Sequence, residues 1–578
     1  MSPRILLNNK LLIACLIGLA CALLLPSLMY GVRESHDINF HLMLFQSYRD
    51  AFQAGILYPR WLPDQMHGLG SPGLLLYPPL PSAFFVLVDW LTFHMLIPAR
   101  VLGLGAFLFS AGSALTFFLW AKKSVPTTVA LATALFYATA PYHLNIDLYA
   151  RGAIAEYAAF TWIPLIFLGI RESIYEASVK AYLILIGGIC ALLLTHLLTA
   201  MLIAPLAAVY LLVCLRSGEI SAGLRSRRFV LVALISVLAA ALAAFYYVPA
   251  ITLLPHANPA GLYRDVATTN VFFALLTPGD RYKMKLLAVT CLYLVCLVYF
   301  LAEAIRKWCQ SRAIDQPLTL SLMWLAAGLL SFALISGAFP AIFRPPSPYS
   351  QVQYAWRLLA VIEFSLASLL VSLYATISDP VSHQRLQRIT GAGLLLVVVM
   401  QLIDIGVRFH KHPMFANPMQ DIMEVKWRLA PIEYFPAGTK VGQKIDRTFA
   451  PFEKYATAET PAFIDEAKGR IVKAERSGGS FLIHSVSAEA SPVTIQQFYF
   501  LGWKATDETG HDLPVFRTED VPLVTYIAPP GDHTVKIERV QTEQEHWGNM
   551  ISLAAFVGLV LMLVFVVQQR KRTDSKQV

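Results

Sequence analysis

The chain has 578 residues, of which 56% are hydrophobic and only 14% charged. A soluble enzyme of this length carries nearer a quarter charged residues, so that class is excluded. The formal net charge of +9 does not point to nucleic acid, because the basic residues concentrate in short loops between apolar runs.

Those runs, of about 17–25 residues, fit bilayer-spanning helices and predict a polytopic α-helical membrane protein. Met1 to Tyr30 carries Arg4 and Lys10 before its apolar run. No small-residue cleavage site stands out near its end, so it reads as a retained first helix rather than a signal peptide. About 12 spans are expected, near 11–30, 101–120, 126–144, 157–171, 180–196, 198–215, 229–248, 286–303, 318–337, 357–376, 390–406 and 549–568.

The stretch 74–97 is apolar as well, but prolines interrupt or flank it and it contains Asp89 and His94. If it does not cross, Arg4/Lys10, Lys122/Lys123, Arg171/Lys180, Arg216 to Arg228, Arg306/Lys307/Arg312, Arg385/Arg388 and Arg570/Lys571/Arg572 all face the cytoplasm. Crossing would invert Lys122/Lys123 and every later cluster. The expected division is therefore a transmembrane domain 1–408 with a first outward loop 31–100, an extracytoplasmic β-rich domain 409–548, and a last helix with cytoplasmic tail, 549–578. Both termini lie inside, in the inner (cytoplasmic) membrane.

The first outward loop holds Glu34, His36, Asp37 and His41 where the chain leaves the bilayer, followed by a Trp, Tyr, Pro and Gly-rich segment. Charge at a membrane border is costly without a task or a partner. If 36–52 is helical, Asp37 and His41 share a face at i, i+4. A carboxylate and an imidazole so placed can work as base and partner, or share a divalent cation. Equally, Ser35 or Asp37 can simply cap the helix, with His41 interfacial.

The segment 141–157, PYHLNIDLYARGAIAEY, around the outward loop expected at 145–156, brings His143, Asp147, Arg151 and Glu156 together. Arg151 and Glu156 form either a structural ion pair or part of a polar site, with Arg151 meeting an anionic ligand. His196, in LLLTHLLTA, is a packing residue or a functional one. Tyr263, Arg264 and Asp265 sit in a later outward loop, and Arg344, Tyr354 and Arg357 near the outer face. Arg357 either snorkels or holds a lipid phosphate, which suits the paired donors of a guanidinium.

The segment 409–548 alternates in strand fashion in IQQFYFLGWKAT, VPLVTYIAPP and HTVKIERV, which predicts a small β-sandwich in its second half. It contains no cysteine, so no disulfide framework is expected there. The chain shows no Walker-type loop, G-x-S-x-G elbow or H-E-x-x-H.

With these residues in view, the chain resembles the GT-C superfamily of integral-membrane glycosyltransferases, which includes protein O-mannosyltransferases, oligosaccharyltransferases and the aminoarabinose transferase of lipid A. Its LYPRW and YPPL stretches after Asp37, and the strand FYFLGW, look closest to the YfhO-like bacterial membrane proteins. Some of those carry the label 6-pyruvoyl-tetrahydropterin synthase-related, but no compact three-histidine zinc site supports pterin chemistry here. The resemblance implies a GT-C-like fold with Asp37 as first-loop catalytic acid, Glu156 as the second acidic position and Arg357 on the donor phosphate. The chain departs from the paired-acid D-x-D form, with Ser35 and Asn39 flanking Asp37 at two residues.

The expected function is inverting transfer of a sugar from a polyprenyl-phosphate donor to a cell-envelope acceptor (glycan, lipid or protein) on the outer face. Asp37 is the expected base, with His41 and Glu156 orienting it or sharing a metal with it, and Arg151 or Arg357 on the donor phosphate. A transporter or flippase of lipid-linked glycans, or a membrane scaffold presenting the β-rich domain, is the alternative. Membrane lipids are expected partners; nucleic acid is not.

Overall fold

The computed structural model describes residues 3–33, 35–217, 220–258, 279–311, 314–377, 380–411, 432–439, 450–518 and 521–574. Glu34, Tyr263, Arg264 and Asp265 lie outside the described residues.

Among these residues, eight helices are long and apolar enough to cross a membrane: Pro98–Ala121, Ile154–Tyr175, Leu197–Leu215, Arg281–Gln310, Gln316–Ile335, Ala355–Thr376, His383–Arg408 and Glu543–Gln568. The broken pair Ala222–Leu242 and Ala244–His256 makes a ninth if taken as one span. The other expected spans form the 28-residue helix Pro3–Tyr30, the shorter apolar helix Val179–Thr195 and the 13-residue Thr127–Thr139. The stretch 74–97 yields only Gly73–Leu76 and the 12-residue Leu80–Leu91. That falls short of the ~20 residues a helical span needs. The molecule is a multi-pass helical membrane protein with a β-rich C-terminal part.

The chain divides into two compact units. The first comprises 1–38, 87–240 and 263–416. Its centre is aromatic: the Phe364 ring sits 4.7 Å from Phe167, 5.5 Å from Trp324 and 6.0 Å from Phe117. Helices Pro3–Tyr30 and Pro98–Ala121 meet at Gly103, where a Cβ would fall 2.1 Å from the Ser27 carbonyl oxygen. Small residues permit such close backbone approach in membranes. The contact holds the chain as it leaves the first helix, with Val32 N–H donating to the Ala99 carbonyl at 2.9 Å.

The expected loop at 145–156 is instead helical. Pro141–Arg151 winds as an eleven-residue π-helix, Gly152 closes it at φ 65°, and helix Ile154–Ala159 follows. A π-winding of this length is rare and concentrates at functional sites.

The second unit comprises 39–86, 241–262 and 417–578. Among the described residues, nine strands, β1 (Ala462–Ile464), β2 (Gly469–Ser477), β3 (Ser480–Ser487), β4 (Ser491–Phe498), β5 (Trp503–Asp507), β6 (Asp512–Leu513), β7 (Val515–Arg517), β8 (Leu523–Ala528) and β9 (Gly531–Arg539), form two sheets. One runs β1-β4-β8-β7 and the other β2-β3-β9-β5-β6, all pairs antiparallel. Alternation in β3 and β9 turns Phe481, Ile483, Val535 and Ile537 into a core shared with Val493, Ile495 and Tyr526 of the other sheet. Trp61, Leu69 and Leu75 from the first-loop stretch join that core. Helix Glu543–Asp574 leaves β9 and packs on Ala244–Leu253, where Ser552 Oγ accepts from the Phe245 N–H at 2.8 Å.

Candidate functional site

The site lies in the first unit. After Val32 the chain turns at His36–Asp37 into helix Ile38–Gln53. The Asp37 N–H donates to the Arg151 carbonyl at 2.7 Å, tying this turn to the end of the π-helix. Gly152 makes the approach feasible. A Cβ there would lie 2.3 Å from Ser35 Oγ and 2.8 Å from Ile38 Cβ, and its left-handed backbone suits only glycine without cost.

Ion pairs spread outward from Arg151. Its Nη1 lies 2.8 Å from Asp147 Oδ1 and 2.9 Å from Glu156 Oε2, and its Nη2 lies 3.7 Å from Asp37 Oδ2. Asp147 and Arg151 meet because they stand one helical turn apart. Glu156 Oε2 also faces Arg357 Nε at 3.2 Å, while its Oε1 accepts from the Tyr142 hydroxyl at 2.6 Å. Arg357 extends past the Tyr354 ring, 5.6 Å from its centroid, and donates to Gln353 Oε1 at 3.3 Å.

Exposure separates the members. Asp147, Arg151, Glu156 and Arg357 are buried, whereas the Asp37 side chain is 44% exposed. Burial pushes the Asp147 carboxyl well above the usual carboxylate range, and neighbouring Glu156 adds to that push while Arg151 opposes it. Arg357 Nη1 is buried and has no hydrogen-bond partner among the described residues. An unmet buried donor of this kind costs about 1–3 kcal/mol, so it is a natural seat for an anionic oxygen.

The π-helix is anchored from within the bundle. Glu363, fully buried in span Ala355–Thr376, accepts from the backbone N–H of Tyr142 at 3.0 Å and of His143 at 3.3 Å. The Tyr293 hydroxyl donates to the same oxygen. A carboxylate at a helix N-terminus satisfies donors that the helix itself leaves open.

Of the sequence-derived candidates, Asp37, Arg151, Glu156 and Arg357 therefore stand in one chain of ion pairs. His41 belongs to the second unit, because the boundary falls between Ile38 and Asn39. There it is buried, its ring 5.9 Å from Phe40 and 5.7 Å from Tyr77. His196 caps helix Leu197–Leu215, its Nδ1 2.7 Å from Thr199 Oγ1 and accepting from the Thr199 N–H. Arg344 is an exposed turn residue.

Among the described residues, no group of three His, Cys, Asp or Glu side chains is placed to hold a metal ion. Arg151 itself stands between the carboxylates of Asp37, Asp147 and Glu156, where a divalent cation would have to sit. The expected metal set of Asp37, His41 and Glu156 does not fit this arrangement. Sequence reasoning also passed over Glu363 and Tyr142. A lone carboxylate inside an apolar run is a usable signal for the first; a tyrosine beside an apolar run offers none.

Comparison with protein-family models finds no match. An uncharacterized protein of Lactococcus lactis subsp. cremoris (strain MG1363) is 26% identical over 183 residues, 31% of this chain. The match spans only 29% of that relative's length. Among solved structures, the crystal structure of ArnT from Cupriavidus metallidurans in the apo state is 13% identical, with a TM-score of 0.30, over 65% of this chain and 79% of that one. No residue role is carried over from either.

Proposed function

We propose that the chain is an inverting, GT-C-like glycosyltransferase, of the YfhO-like kind, that moves a sugar from a polyprenyl-phosphate donor to a cell-envelope acceptor. The transfer takes place on the outer face of the cytoplasmic membrane, with both termini inside and residues 409–548 outside. The observation that carries this reading is the contrast within the network. Asp37 is its half-exposed carboxylate and adjoins the buried Arg151, while Arg357, joined to Arg151 through Glu156, has an unmet donor.

In this scheme Asp37 accepts the proton of an acceptor hydroxyl. The hydroxyl oxygen bonds to the sugar C1 from the face opposite the phosphate, and the C1–O bond to phosphate breaks with its electron pair. Inversion follows from that geometry. Arg357 and Arg151 meet the negative charge that develops on the departing lipid phosphate, the electrostatic contribution that is usually largest in group transfer. Glu156, with both oxygens engaged, orients the two arginines rather than moving a proton. His41 takes no part, and no step passes through a metal.

Asp37→Asn and Arg357→Lys, expressed at wild-type level, test the proposal in a cell-envelope glycan assay. Loss of one glycan linkage in Asp37→Asn, by about 10²–10⁴ in rate, is the expected result. Unchanged glycan would sink the catalytic assignment and favour a scaffold. Glycan that accumulates on its lipid at the inner leaflet would favour a flippase.

A further inference from the structure

A cavity of about 490 Å³ opens within the second unit, inside the ~300–1,000 Å³ range of small-molecule sites. Its walls are helix Ile38–Gln53, the stretch Tyr58 to Asp64, the β2–β3 turn at Gly478–Ser480, and the chain from Glu538 to Glu545. None of these residues belongs to the ion-pair network of the first unit.

Charge narrows the ligand. The two wall cations, Arg60 and Arg539, are already matched to Glu545, which is fully buried. Arg539 Nη2 lies 2.8 Å and Arg60 Nε 3.6 Å from its oxygens. Three more carboxylates, Asp50, Asp64 and Glu538, line the cavity, and each is paired with a cation: Arg49 at 3.7 Å, Arg476 at 2.7 Å and Lys536 at 2.7 Å. With its charges paired in this way, the wall offers little to hold a phosphate or another ionic ligand.

The remaining polar groups argue against a simple cation. Gln46, Ser47, Ser480 and Gln541 each offer both donor and acceptor atoms. Arg539, 7% exposed, has an Nε with no hydrogen-bond partner among the described residues. A sugar hydroxyl donates and accepts at once, so it needs this mixture of carboxylate, amide, hydroxyl and guanidinium.

We infer that this cavity binds a neutral saccharide. The inference goes beyond the transfer reading, because binding here needs neither donor nor turnover.

Ligand-detected NMR on the full chain in nanodiscs, with glucose, mannose, N-acetylglucosamine and maltotriose, tests it. Inorganic phosphate and a tetralysine peptide serve as counter-probes. A Cβ on Gly479 meets nothing within 4 Å, so Gly479→Trp fills the cavity without straining the turn. At least one saccharide should bind, with affinity at least about tenfold weaker (~1.4 kcal/mol) in Gly479→Trp and in Asp50→Ala. Asp37→Asn should bind as wild type does, which keeps failure of this inference distinct from failure of the transfer reading. The inference falls if no saccharide in the panel binds, or if binding survives both cavity substitutions. It also falls if phosphate or the lysine peptide, rather than a sugar, is the probe they expel.

Discussion

Oε2 of Glu156 lies 2.9 Å from Arg151 Nη1, with both side chains almost wholly buried. The same oxygen is 3.2 Å from Arg357, so one carboxylate compensates two guanidinia. Removing one partner of a buried pair costs about 3–5 kcal/mol, because the other charge is left uncompensated. Glu156→Gln should therefore destabilise the protein by about that much, visible as a lowered unfolding temperature in a fixed detergent. A stability equal to wild type would show that the pair is not holding the arginines.

Gly152 makes a sharper steric prediction. Gly152→Ala puts a methyl 2.3 Å from Ser35 Oγ at a φ of +65°. The backbone strain alone is worth about 1 kcal/mol or more, and the clash adds to it. The turn at Ser35–Asp37 must move, so transfer activity should fall even at temperatures where the protein stays folded. Full activity at wild-type stability would mean that the turn and the π-helix are not coupled.

Glu363 should behave as an acceptor rather than as a charge. Glu363→Ala strands the His143 N–H, at about 1–3 kcal/mol for the unmet group, and leaves the Tyr142 N–H only the Tyr293 hydroxyl at 3.1 Å. Glu363→Gln keeps a carbonyl oxygen for them and should lose much less. Hydrogen exchange at residues 142 and 143 reads the difference directly. Equal exchange in the two variants would refute it.

The pH dependence follows from Asp147. Its folded carboxyl titrates above the unfolded value of ~3.9. The stability it contributes is therefore fully present below the unfolded pKa and is lost as pH rises through the folded one. Unfolding temperature should fall toward alkaline pH, and Asp147→Asn, neutral throughout, should flatten that slope. Parallel profiles for the two proteins would contradict it.

The membrane character is legible in composition, because charge inside a bilayer is costly and its scarcity marks the spans. The β strands are legible too: the alternation in HTVKIERV matches the inward Val535 and Ile537 of β9, while VPLVTYIAPP forms β8, which is buried along most of its length. Asp37, Arg151, Glu156 and Arg357 stand out for the same reason as the spans: each is an ionisable group beside an apolar run. Their mutual distances are not legible. Asp37 meets Arg151, and Glu156 meets Arg357, across long stretches of chain, and no local periodicity encodes such pairing. For His41, local spacing gives the single helical turn from Asp37, and packing adds that its ring is buried against Phe40 and Tyr77. The π-winding of Pro141–Arg151 is hidden likewise, since its first amides are satisfied by Glu363 of a distant span rather than by neighbours in sequence. Periodicity and charge follow from adjacent residues, whereas a buried ion-pair network forms only when packing removes water from groups that the chain keeps apart.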